Sequence, residues 1–219
     1  MSELKREIAA WKDYELLDSG DFEKCERWGE MVIIRPEPQA LWPKSNEEVW
    51  ASAHATYTRT RDEGEWERLK DCPDSWVIGW EKLKFEIAPT AFKHTGLFPE
   101  QASNWTWLRS VVKPKMEVLN LFGYTGGATL VCASAGADVV HVDASKPVVT
   151  WGRENSQLSG LQDKKIRWIE DDAIKFVARE IRRERKYDGI ILDPPAFGRG
   201  PTGEIWKFDE HLPGLLADC

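Results

Sequence analysis

The stretch Val118-Leu-Asn-Leu-Phe122-Gly-Tyr-Thr-Gly-Gly127 runs from an apolar strand through a glycine-rich turn into an apolar helix, Ala128 to Ala135, which Gly136 closes. Glycines at such a junction let the backbone approach a ligand closely at a helix N-terminus. A turn that only reverses the chain needs one glycine, and this one has three, at 123, 126 and 127. It is not the Gly-x-Gly-x-x-Gly dinucleotide fingerprint, because Phe122 and Tyr124 stand where that loop carries glycine. The turn reads as a ligand-binding loop.

Outward from this loop, strand and helix alternate from Met116 onward. Val139 to Val142 predicts a second strand, Val148 to Leu158 a helix with Pro147 in its first turn, and Ile166 to Ile169 a third strand. Ala173 to Arg185 predicts a third helix and Gly189 to Leu192 a fourth strand. Strands separated by helices of this length imply right-handed crossovers and a parallel sheet. The expected fold is α/β, a Rossmann-like parallel sheet over residues 91–219 behind a small β-rich module over residues 1–90.

Acids close the later strands. Asp143 ends the second, 23 residues after Asn120, where a carboxylate accepts hydrogen bonds from ribose hydroxyls; the bland reading, a helix cap, is one that Ser145 can fill instead. Asp172 ends the third, where it either reads an adenine edge or caps the next helix, roles that can coexist. The fourth strand delivers Asp193 into Asp193-Pro-Pro-Ala-Phe197. Two prolines cannot donate to a ladder, so the strand stops there and leaves an acid and bare carbonyls at the carboxyl end of the sheet, where open α/β folds bind ligands.

The amino-terminal module shows Tyr14 to Leu17 before a turn signal at Asp18-Ser-Gly20, then Met31 to Ile34 closed by Pro36 and Pro38. A polar stretch through Arg61-Asp-Glu-Gly64 precedes a hairpin of Trp76 to Trp80 with Leu83 to Ile87. Ala91 to Gln101 then leads into a helix, Trp105 to Val112, which Pro114 ends. A net charge of −7 argues against a freestanding nonspecific nucleic-acid binder. The cluster Arg179, Arg182, Arg183, Arg185 and Lys186 either meets phosphates or sits solvated at the negative pole of its helix. Twelve tryptophans either fill the core or stack on bases. No apolar stretch reaches the roughly 20 residues of a membrane span, and the charged amino terminus has no signal-peptide segment behind it, so the expectation is a cytoplasmic protein. Scattered cysteines and isolated histidines call for no metal.

The loop, Asp143, Asp172 and Asp193-Pro-Pro-Ala-Phe197, in that order, resemble class I S-adenosylmethionine-dependent methyltransferases. Phe122-Gly-Tyr-Thr-Gly-Gly127, Asp171-Asp172, the Asp-Pro-Pro-x-Phe corner and the upstream Thr95-Gly-Leu-Phe-Pro-Glu-Gln101 are similar, more narrowly, to the 23S ribosomal RNA large-subunit methyltransferases that include 5-methylcytosine enzymes. The resemblance implies that Phe98, Glu100 and Gln101 close over S-adenosylmethionine. It implies further that Asn120, Phe122, Gly123, Tyr124, Thr125 and Gly126 cradle its methionyl group, that Asp143 with Ala144 and Ser145 holds the ribose, and that Asp172 with Ala173 holds the adenine. Asp193, Pro194 and Phe197 then line a target-base pocket and act as the catalytic set, with ribosomal RNA as the expected partner.

Methylating cytosine C5 requires a cysteine to add to the ring first. Cys132 lies inside the apolar helix, Cys25 and Cys72 in the amino-terminal module, and Cys219 at the last position, while the family's thiol belongs to a later strand. The family's sheet has seven strands, and four are read here. The expectation is a truncated domain whose fourth strand forms an apolar edge prone to self-association. Two other readings stand beside this one: a nicotinamide-dependent oxidoreductase, which leaves the Asp-Pro-Pro corner unexplained, and a noncatalytic, or protein- or small-molecule-directed, cofactor-binding protein.

Overall fold

The computed structural model describes residues 11–59, 64–90 and 93–219. The charged amino terminus, Arg61 to Glu63 of the polar stretch, and Ala91 and Phe92 lie outside that set. Internal contacts divide the chain into two units, Met1–Ala102 and Ser103–Cys219.

In the first unit β1 (Tyr14–Gly20), β2 (Glu23–Trp28), β3 (Met31–Pro36), β4 (Ala55–Arg59) and β5 (Gly64–Arg68) form one sheet in sequence order. All neighbours are antiparallel except β3 and β4, between which the short helix α1 (Glu47–Ala51) makes the crossover. Alternation is plainest in the separate hairpin of β6 (Trp76–Trp80) and β7 (Leu83–Ile87). Ile78, Trp80, Leu83, Phe85 and Ile87 turn inward there, and Lys84 and Val77 outward.

The turn expected at Asp18-Ser-Gly20 forms later. The strand continues through a bulge between Leu16 and Asp18, and the chain reverses at Asp21 and Phe22, both in the left-handed region. Asp18 is not free to close a turn, because its carboxylate accepts Ser45 Oγ at 2.8 Å, the Asn46 amide at 3.1 Å and Trp50 Nε1 at 2.7 Å. Strand β2 escaped the pattern reading because charge occupies an inward position. Glu26 is fully buried on β2, and Arg35 of β3 reaches it through Nε at 2.7 Å and Nη2 at 2.8 Å.

Burial works to raise the Glu26 pKa, but the Arg35 charge and hydrogen bonds, with Lys24 and the Tyr14 hydroxyl, outweigh it and hold the group below the ordinary glutamate range. A depressed carboxylate contributes stability above its unfolded pKa, about 4.3, and loses it as pH falls through the folded value. Glu26→Gln should therefore destabilise the protein by about 1–3 kcal/mol at neutral pH and by less in acid. Urea titrations at pH 7 and pH 4 read this, and an equal loss at both would contradict it.

Helix α2 (Ala102–Val111) starts on the last residue of the first unit, and the second continues with β8 (Glu117–Leu121), α3 (Gly127–Ser134), β9 (Asp138–Asp143), α4 (Lys146–Leu158), β10 (Ile166–Glu170), α5 (Ala173–Arg182) and β11 (Gly189–Leu192). The four strands are parallel in the order β10-β9-β8-β11. Apolar side chains on both faces of β8 and β9 suit strands covered by helices on each side. Leu119, Leu121, Val140 and Val142 pack with Phe176 and Val177 of α5, and Asn120 and His141 turn to the opposite face toward Thr129 of α3. After β11 the chain adds a short hairpin, β12 (Phe197–Arg199) with β13 (Ile205–Lys207), and then α6 (Phe208–Asp218), which carries Pro213 inside it.

Strand order decides where a ligand can enter. From β8 the chain steps outward to β9 and β10, then α5 returns it to the other side of β8 as β11. The direction reverses between β8 and β11, the switch point at which open α/β sheets form a crevice at the carboxyl ends of their strands.

Candidate active site at the strand carboxyl ends

Within Ser103–Cys219 the structure gathers Asn120 to Gly126, Asp143 to Ser145, Asp172 with Ala173, and Asp193 to Phe197 at the carboxyl ends of β8, β9, β10 and β11. Leu121 is in register with Val142 on one side and Leu192 on the other, so Phe122 lies between the strand ends that carry Asp143 and Asp193. Phe98, Glu100 and Gln101 belong to the other unit. There Phe98 precedes the single 3-10 turn Pro99–Gln101, with its ring edge-on to His94 at 5.2 Å.

The loop is held in an unusual shape. Phe122 and Tyr124 both have positive φ, 56° and 49°, which costs side-chain-bearing residues energy and persists only where surroundings enforce it. Asp143 is one enforcer, accepting the Tyr124 amide at 2.9 Å through Oδ2 and the Ser145 amide at 3.0 Å through Oδ1. Asn155 of α4 is another, donating to the Thr125 carbonyl at 3.0 Å. Ser145 occupies the cap position of α4, but its side chain makes no cap bond. Burial pushes the Asp143 pKa up, and the Ser145, Tyr124 and Ala144 amides pull it back only in part.

Below the loop lies a residue that sequence reading set down as an isolated histidine. His141 is fully buried, its Nδ1 2.9 Å from Thr129 Oγ1, which also accepts from Asn120 Nδ2 at 2.8 Å. Burial drives its pKa down to about 3, so the ring is neutral at any working pH. Its Nε2 has no hydrogen-bond partner among the described residues. A Cβ placed on Gly123 would meet the ring at 2.4 Å, which makes the glycine a packing requirement. Gly123→Ala should lose about 1–3 kcal/mol of stability through overpacking. It should also weaken cofactor binding, and thermal melts with and without S-adenosylhomocysteine check both. An alanine variant with unchanged melting and unchanged ligand shift would contradict the packing account.

Asp172 caps α5, accepting the Lys175 amide at 3.0 Å, and its neighbour Asp171 pairs with Arg179. The basic cluster of α5 is partly spent on structure, since Arg183 pairs with Glu180 and Arg185 with Glu117. Asp193 reaches solvent, although the protein mass around it raises its pKa. The second residue missed by sequence reading is Trp206 of β13, 4% exposed. Its Nε1 donates to the Pro195 carbonyl at 2.7 Å, and its ring lies 4.8 Å from that of Phe122. It braces the acid corner and touches the loop at once. No motif marks it, only the surplus of tryptophan. Among the described residues no group of three metal-ligating side chains gathers, and no helix is long and apolar enough to cross a membrane.

Residues 42–216 match the family described as S-adenosylmethionine-dependent methyltransferase. The chain belongs to this family. A SAM-dependent methyltransferase structure from Agrobacterium tumefaciens superposes with a TM-score of 0.93 at 45% identity, over 96% of this chain and 69% of that one. A Streptococcus mutans protein shares the fold, with a TM-score of 0.75 at 18% identity over 94% of this chain and 57% of its own. Among curated relatives, the ribosomal RNA large subunit methyltransferase K/L of Shewanella baltica is 32% identical over 169 residues, 73% of this chain and 23% of that protein. A Methanocaldococcus jannaschii protein named for the same class of activity is 36% identical over 121 residues, 55% of this chain and 31% of its own. The chain thus spans under a third of the length of these two curated relatives. Membership of this family accounts for the Asp193-Pro-Pro corner that a nicotinamide reading leaves unexplained.

Proposed function

We propose that the unit Ser103–Cys219 seats S-adenosylmethionine along the carboxyl ends of β8, β9 and β10 and transfers its methyl to a base of ribosomal RNA held at the Asp193 corner. The switch point carries this reading, because it puts the loop and Asp193 on adjacent strands. The chemistry of the residues fits the cofactor. The Asp143 carboxylate, which takes the Tyr124 and Ser145 amides, has about four lone-pair sites and so keeps capacity for a ribose hydroxyl. Asn120 to Gly126 supply backbone around the methionyl group, with Ala144, Ser145 and Ala173 flanking ribose and adenine. When bound, the sulfonium supplies an already activated methyl, so the chain's task is alignment and exclusion of water.

The acceptor we infer is an amino nitrogen of the base. Asp193, Pro194 and Pro195 offer acceptors and, at the prolines, no backbone donors, which suits an N–H edge. The nitrogen lone pair forms the new bond to the methyl as the carbon–sulfur bond breaks, and the nitrogen's proton passes to Asp193 or water. Phe197, 54% exposed, is the stacking platform for a base taken out of its helix.

Label from methyl-labelled S-adenosylmethionine should enter ribosomal RNA, and nuclease digestion should release an N-methylated nucleoside. A 5-methylpyrimidine would overturn the nitrogen assignment, and label in protein would overturn the RNA reading.

A further inference from the structure

The β12–β13 hairpin follows the acid corner directly and has two unlike faces. In its register Phe197 stands opposite Lys207, Gly198 opposite Trp206, and Arg199 opposite Ile205. Cross-strand partners share a face, and successive residues alternate. The inner face is Trp206, buried with Phe176 and Leu215. The outer face carries Phe197, Arg199, Ile205 and Lys207, with Ile205 49% exposed and no acid among the four. The Arg199 guanidinium has no hydrogen-bond or ion-pair partner among the described residues. Lys207 Nζ bonds only the exposed Glu210 carboxylate, at 2.8 Å, one turn away. Such exposed pairs contribute little and exchange easily for another anion.

The hairpin is also pinned. Lys175 of α5 pairs with Glu204 in its turn and reaches Thr202 Oγ1 at 3.3 Å. The Phe208 amide donates to the Ala196 carbonyl at 3.0 Å, and Trp206 holds Pro195. An aromatic side chain and two cations are therefore held on one surface beside Asp193, in a chain whose net charge is −7. A stacking ring flanked by cations is the composition that binds single-stranded nucleic acid, where bases stack and phosphates meet positive charge.

We propose that the outer face of β12–β13 docks the single-stranded RNA that flanks a target base stacked on Phe197, holding its phosphates with Arg199 and Lys207. This rests on the RNA reading above and extends it to Arg199, Ile205 and Lys207.

The test is fluorescence anisotropy with a short labelled single-stranded RNA across a salt series, on the full chain and on Arg199→Gln/Lys207→Gln. The double variant should bind about tenfold more weakly, with the salt slope reduced by about 1.4 for two lost phosphate contacts. Its melting temperature and S-adenosylmethionine affinity should stay at the wild-type values. Wild-type RNA affinity and slope in the variant would overturn the hairpin assignment alone. No RNA binding by the unmodified protein would overturn both the hairpin and the RNA reading. If the double variant loses structure, Ile205→Lys decides, since a third cation on this face must strengthen binding and steepen the slope, and failure to do so overturns the proposal.

Discussion

Trp206→Ala should lower the stability of the protein by about 3–5 kcal/mol, the usual cost of emptying a buried aromatic site. The ring packs in the core with Leu119, Leu121, Phe176 and Leu215 and against Phe122, so its removal opens a cavity beneath two functional segments at once. The change also orphans the Pro195 carbonyl and frees the acid corner to move. Trp206→Phe separates the two effects. It keeps most of the volume and should cost about 1 kcal/mol for the lost hydrogen bond. Methyl transfer should nevertheless fall, with S-adenosylmethionine affinity unchanged, because the corner is loosened and the cofactor loop is not. Urea unfolding combined with single-turnover transfer measures both. A phenylalanine variant that is fully active would show that Trp206 only fills space.

Asp143→Ala should weaken S-adenosylmethionine binding at least about 100-fold, since charge-assisted hydrogen bonds are worth about 1.5–3 kcal/mol each and the ribose loses its carboxylate. The Tyr124 and Ser145 amides lose their acceptor as well, so the left-handed backbone at Tyr124 loses a support. Asp143→Asn keeps an oxygen for one amide and should fall between. Because burial raises the Asp143 pKa, wild-type affinity should begin to fall with acid above the ordinary aspartate range near 3.9. The sign for the ligand-free protein is opposite, since a raised carboxylate contributes stability only below its folded pKa. Calorimetric titration across pH reads the first effect. An alanine variant that binds as wild type would remove Asp143 from the site.

What could be read from sequence was local. The strands of the parallel sheet announced themselves through apolar runs, and Gly189–Leu192 formed where the run placed it. Asp143, Asp172 and Asp193 were legible because a strand end fixes where a side chain goes. Contacts between distant segments were not. Glu26 hides a strand because its partner, Arg35, lies on the next one. The β12–β13 hairpin is built on strands of only three residues, too short for an alternation to show, and Trp206 becomes meaningful only once it meets Pro195 and Phe122. His141 reads as any core residue until Gly123 is seen lying on its ring.

The most direct test of the account is amide hydrogen exchange of the full chain with and without S-adenosylhomocysteine. The account predicts slowed exchange at residues 122–127, 143–145 and 172–173, at the carboxyl ends of the strands. Protection confined instead to the cavity of about 360 Å3 at the opposite end of the sheet, lined by Glu117, Asp138, Lys165, Arg185 and Tyr187, would contradict it.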